Sequence, residues 1–141
     1  MVFIGQFNHN LDSKNRLIIP ANYRKDLGDT FYLSKGNDGA IYLYPKETFE
    51  ALIAKVLQLN RNKAEVRMYI HNLSSNAVEV SLDKMGRVQV PQFLKEMAAI
   101  EKECVIAGEF SHIAIFSKEN FVAFNDKSNL AFDDISEMIE V

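Results

Sequence analysis

A single cysteine, Cys104, stands in the 141 residues, which excludes an internal disulfide framework and any zinc site built on cysteine spacing. It is compatible with a reducing compartment. No apolar run approaches the roughly 20 residues that a membrane-spanning helix needs. Residues 1–10 lack the basic stretch and apolar block of a secretory signal. His9, His71 and His112 fall at unrelated places without metal-ligand spacing. Neither a nucleophile elbow nor a phosphate-binding glycine loop is present. No enzymatic activity, cofactor or metal is therefore expected. Cys104 opens the apolar run Cys-Val-Ile-Ala and reads as a small buried hydrophobe.

What is present begins with an apolar fraction of 48 %, enough to bury a core. The net charge of −3 argues mildly against a nucleic-acid partner, but its distribution matters more. Residues 1–25 carry +3, from Lys14, Arg16, Arg24 and Lys25 against Asp12. Residues 119–141 carry −5. A basic surface can therefore coexist with an acidic total.

The main organising feature is an internal repeat. Asp12-Ser-Lys-Asn-Arg16-Leu-Ile-Ile-Pro20 recurs 71 residues later as Asp83-Lys-Met-Gly-Arg87-Val-Gln-Val-Pro91. With one inserted residue the match continues through Gly36 and Gly108, Ile41 and Ile113, and Phe49 and Phe121. Each copy reads as a strand, a tight turn, a return strand, a short helix, two further strands and a closing helix. Asp12 and Asp83 suit the start of a turn, because a carboxylate accepts backbone N–H groups two residues on. Asn15 and Gly86 stand where a left-handed backbone is required, which glycine adopts freely and asparagine tolerates. Pro20 and Pro91 are expected at the first helical position and Gly28 at a helix end. In the return strand of the second copy Val88 and Val90 face one way and Arg87 and Gln89 the other; by equivalence Arg16 points outward beside Ile18. Such units need a neighbour to bury their apolar face, and the two copies can pair about a pseudo-two-fold axis.

The expected organisation is a first repeat over residues 1–49, a helical connector over 50–75, a second repeat over 76–121 and an acidic tail over 122–141. In the connector Phe49, Leu52, Ile53, Val56 and Leu57 have helical spacing and mark one buried stripe. Asn62-Lys-Ala-Glu65 has the pattern of a capping box for a second connector helix. The tail reads either as docked or as disordered.

Two readings stand for Asp-x-x-x-Arg. The bland one is an exposed ion pair across a turn, worth roughly 0–1 kcal/mol. The functional one is a β-ribbon in a DNA major groove, with Arg16 and Arg87 gripping phosphates or guanines and Lys14 and Lys84 as flanking charges. Asp12, Asn15, Asp83 and Gly86 then support the loops. Arg24, Lys25, Arg61, Lys63 and Arg67 read as solvated helix faces.

At the segments Met1–Gly5, Phe7 to Asp12, Lys14 to Pro20, Leu82 to Pro91 and Ser117 to Asn120 the sequence resembles the MraZ family of the AbrB-like (SpoVT/AbrB, swapped-hairpin) superfamily, over residues 1 to about 122. The resemblance implies an α+β, mainly β fold: two tandem βαββ-type repeats forming a pseudo-two-fold swapped-hairpin, double-ψ-related barrel with outer helices. It also implies a bacterial cytoplasmic, nucleoid-associated transcriptional regulator, a repressor. Its partner would be double-stranded DNA, at repeated elements upstream of the division and cell-wall gene cluster, and its assembly a ring-shaped homo-oligomer with no membrane contact. DNA contact falls on Lys14, Arg16, Lys84 and Arg87. Asn15 departs from the family's usual glycine. The alternative is a protein-interaction subunit, antidote-like or scaffold-like.

Overall fold

The computed structural model describes residues 2–139; Met1 of the first resembling segment and the last two residues of the acidic tail lie outside them. The first repeat runs β1 (Gln6–Asn10), β2 (Arg16–Ile18), α1 (Ala21–Leu27), β3 (Thr30–Lys35), β4 (Ile41–Pro45) and α2 (Lys46–Val56). After the connector helix α3 (Ala64–Ser75) the second runs β5 (Val78–Ser81), β6 (Arg87–Gln89), α4 (Gln92–Met97), β7 (Glu103–Gly108), β8 (Ile113–Ser117) and α5 (Lys118–Ile139). Two strands precede the first helix of each copy, as the strand, turn and return strand of the sequence reading expect, where the βαββ description counts one. No described helix is long and apolar enough to cross a membrane.

The strands on either side of each turn do not pair with each other, contrary to the hairpin that the sequence suggests. β2 pairs antiparallel with β6, and β1 lies beside β7 while β5 lies beside β3. The result is a six-stranded antiparallel sheet, β1-β7-β8-β4-β3-β5, and a separate two-stranded ribbon, β2-β6. Every first and second strand is thus completed by the other repeat. The registers are centred on equivalent residues: Leu17 faces Val88 in the ribbon, and Tyr42 faces Ala114 where β4 meets β8. That is the pattern of a pseudo-two-fold axis passing through both pairs.

The reason for the exchange lies in burial. Leu17, Ile19, Val88 and Val90 are all buried on the inner side of the ribbon, against Phe31, Leu94 and Ile106. Fully burying each such side chain contributes roughly 1.5–3 kcal/mol, and one repeat alone has no second layer to supply the contact. Pro20 and Pro91 cap their helices in extended conformation (ψ 139° and 145°) instead of occupying the first helical position. They end the ribbon, and the helix begins one residue later. Gly28, at φ +81°, terminates α1 as expected.

The connector departs from its sequence reading in two places. Phe49 and Val56 are buried with Leu73, but Ile53 and Leu57 remain exposed because α3 covers only part of the stripe. Helix α3 is capped at Lys63, without a side-chain bond. Asn62 stands one residue before that cap, with its N–H bonded to Asn60 Oδ1 at 3.0 Å. The tail belongs to one continuous helix, α5, whose first turns dock Phe121 and Phe124 on Phe116, with stacked or edge-on rings 5.7 Å apart. Cys104 is buried, and burial pushes its thiol up to about 11.

Candidate nucleic-acid interface

Both turns are built by their aspartate. Asp12 Oδ1 accepts the backbone N–H groups of Lys14 and Arg16, each at 2.9 Å. Asp83 Oδ1 accepts those of Met85 and Arg87, again at 2.9 Å. The second carboxylate oxygen receives the arginine side chain, Arg16 Nε at 2.7 Å and Arg87 Nε at 2.8 Å. Hydrogen bonds to the ionised carboxylate favour that form. Accordingly the Arg16 backbone N–H foremost, then the Arg16 side chain and the Lys14 N–H, hold Asp12 below the usual carboxylate range. The Arg87 N–H does the same for Asp83. Asn15 (φ 59°) and Gly86 (φ 77°) occupy the left-handed positions.

The bland pair therefore exists, and it leaves the Nη edge of Arg16 free among the described residues. Each guanidinium uses Nε on its own carboxylate, which fixes the plane of the group. The Nη atoms of Arg16 have no partner among the described residues, and Arg87 Nη1 lies 3.8 Å from Asp12 of the other turn. A guanidinium held along one edge presents the other as a pre-oriented fork for phosphate or a base. The same contact sets the two turns side by side.

Across the ribbon Arg16 stands opposite Gln89, and Ile18 opposite Arg87. These four side chains make up the outer face: two half-buried arginines, an exposed glutamine and an exposed isoleucine. Sequence reasoning placed Ile18 and Gln89 on this face but gave them no role. Gln89 Nε2 donates to Lys14 O at 2.6 Å and so ties the second repeat's strand to the first repeat's turn. Lys14 and Lys84 are exposed beside the turns. Lys14 holds the place equivalent to Met85, and Lys84 that of Ser13, so the two lysines are not structural equivalents.

Arg24 is not the solvated helix residue that its position suggests. Its Nε donates to Ile19 O at 2.8 Å, and its guanidinium lies over Gly86 so closely that a Cβ there would meet Cζ at 2.2 Å. The equivalent residue in the second repeat, Lys95, donates from Nζ to Asn15 Oδ1 at 3.0 Å. Each repeat's first helix thus clamps the other repeat's turn with a cation. The signal was in the repeat alignment, which pairs two basic residues 71 positions apart. Two backbone bonds complete the exchange, Ile19 N–H to Gly86 O and Val90 N–H to Asn15 O, both at 2.9 Å. Arg67, by contrast, folds back on its own loop, donating to Arg61 O and Asn62 O.

Comparison with known proteins also finds two copies, divided within α3. A family model described as "MraZ protein, putative antitoxin-like" matches residues 2–72 and again 73–139. A transcriptional regulator MraZ of Clostridium acetobutylicum is 46 % identical over 90 % of this chain and 89 % of its own length. Proteins of the same name from Lactobacillus johnsonii (41 % identical, 99 % of this chain, 97 % of the relative) and Clostridium beijerinckii (43 %, 96 % and 95 %) align over nearly their whole length.

Proposed function

The chain belongs to the MraZ family, and from that premise we propose that it is a non-enzymatic transcriptional regulator that binds repeated DNA elements upstream of the division and cell-wall gene cluster through its two Asp-x-x-x-Arg turns. The observation that carries this reading is the pair of aspartate-held arginines set side by side on the outer face of the β2-β6 ribbon. Arg16 and Arg87 read guanine edges or grip phosphates, and Lys14 and Lys84 supply backbone contacts. Asp12, Asp83, Asn15 and Gly86 hold the turns in shape. The ribbon and the six-stranded sheet close as a swapped-hairpin barrel.

One such site offers few cations, so affinity rests on linkage. In a ring-shaped homo-oligomer, neighbouring sites engage successive DNA repeats and gain avidity without new contacts. The acidic remainder of the chain restrains non-specific binding. The protein acts as a repressor in the bacterial cytoplasm, at the nucleoid.

The test is binding to labelled DNA from just upstream of the protein's own gene at several salt concentrations. Arg16→Ala, Arg87→Ala and the double variant are compared with wild type, each checked for intact assembly. Loss of ~1–3 kcal/mol per base contact, or a salt slope reduced by about one per phosphate contact, supports the reading. Equal binding by all four proteins overturns it and moves a protein-partner role to first place.

A further inference from the structure

The outer face of the β2-β6 ribbon divides into two halves about the pseudo-two-fold axis, and the halves differ in chemistry. Arg16 has polar neighbours. Gln89 stands opposite it across the ribbon and donates from Nε2 to Lys14 O at 2.6 Å, so Lys14, Arg16 and Gln89 form one group. Arg87 has Ile18 opposite it, and the Ile19 N–H bonds to Gly86 O at 2.9 Å, which sets Ile18 beside the turn that carries Met85. Ile18 occupies the place equivalent to Gln89, and Met85 the place equivalent to Lys14. Both positions flanking Arg87 therefore carry an apolar side chain where the other repeat carries a polar one. Backbone contacts hold both at the surface: Leu17 and Ile19 on either side of Ile18 fill the interior, and the Met85 N–H is bound to Asp83 Oδ1 at 2.9 Å. A lone exposed isoleucine is ordinary. Here two apolar side chains, Ile18 43 % and Met85 66 % exposed, flank one arginine of the pair, and the same two places beside the other hold none.

Resting on the reading of this face as the one that meets DNA, we propose that Ile18 and Met85 form an apolar seat for the C5-methyl group of a thymine beside the Arg87 contact. That methyl is the apolar feature that a base pair displays in the major groove, and apolar side chains recognise it there. An aliphatic surface removes the methyl from water with no hydrogen bond left to satisfy. A glutamine or lysine pressed against it would bury a polar group without a partner. The Lys14–Gln89 half offers no such surface and takes hydrogen-bonding base edges or phosphate oxygens alone. The site that one ribbon reads is therefore lopsided, with a thymine selected on one side of the pseudo-axis only. The ribbon has a direction on DNA that its backbone does not dictate.

The test is binding of the full chain to DNA from just upstream of its own gene, with each thymine in turn replaced by deoxyuridine in every repeat. The replacement removes the methyl and keeps the pairing edge. Wild type is expected to lose affinity about four-fold for each repeat engaged at one such position, the weight of one methyl returned to water. Ile18→Gln, which places there the residue that the first half already holds, binds the unsubstituted DNA more weakly and no longer distinguishes thymine from deoxyuridine at that position. Met85→Lys narrows the distinction. Circular dichroism and sedimentation confirm that both variants stay folded and assembled. Wild type that binds through Arg16 and Arg87 yet tolerates deoxyuridine at every position overturns the proposal and leaves DNA reading standing, and so does an equal penalty in wild type and Ile18→Gln. Wild type that ignores this DNA altogether overturns both.

Discussion

The turn over residues 12–16 and the turn over 83–87 share an aspartate, an arginine and a left-handed residue, but they treat that residue in opposite ways. In the first, Asn15 keeps a side chain and uses it: its amide donates to Gln92 Oε1 at 3.2 Å and accepts from Lys95. In the second, Gly86 has no side chain, and the Arg24 guanidinium fills the space. One turn is held by what its residue contributes, the other by what its residue leaves out. Backbone pseudo-symmetry therefore does not require side-chain symmetry. It requires only that each helix cation find a seat on the opposite turn.

The harshest test of that comparison strikes what the turns share. Leu17→Ala removes a fully buried side chain from the ribbon centre and is expected to cost about 2–5 kcal/mol in urea unfolding. It should loosen both turns at once, seen as faster amide exchange at Ile19 and at Val90. Loosening of one alone would break the coupling. Next come the left-handed positions. Gly86→Ala forces a Cβ into φ 77° and displaces Arg24, for a loss of about 1–2 kcal/mol. Asn15→Gly relieves backbone strain while losing two hydrogen bonds, so it should stay within about 1 kcal/mol of wild type. Equal effects would erase the distinction between the turns. Smaller still, Arg24→Ala should speed exchange at Ile19 and Lys95→Ala at Val90, each by removing one clamp and each within about 1 kcal/mol of stability.

The smallest effect is that of acid, and it should treat the turns alike. The folded-state pKa values of Asp12 and Asp83 are depressed below 3.8. Their contribution is therefore present above the unfolded value and is lost as pH falls through the lower folded one. Carboxyl titration by NMR should find both midpoints below 3.8, with both turns ordered at neutral pH.

Much of this was legible in the sequence because it is local. An aspartate that gathers N–H groups, a left-handed Asn or Gly and a glycine that stops a helix all act within a few residues. The repeat, the separation of Val88 and Val90 from Arg87 and Gln89, and the burial of Cys104 could be read the same way. Strand partnership could not. A period of two says which face of a strand is buried but not which strand lies beside it, so adjacent strands were read as hairpins when each in fact pairs with the other repeat. The same exchange hides the role of Arg24, whose partner turn lies far along the chain.

The β2-β6 ribbon also orders events during synthesis. Arg16 pairs with Gln89, more than seventy residues later in the chain, so the first turn gains its strand partner only after most of the protein has left the ribosome. Contacts so distant form late and slowly. A product cut short before Arg87 would carry Asp12 and Arg16 in full, yet leave β2 without the strand it pairs with. Early termination thus yields fragments that hold the residues of the first turn but lack the β2-β6 ribbon.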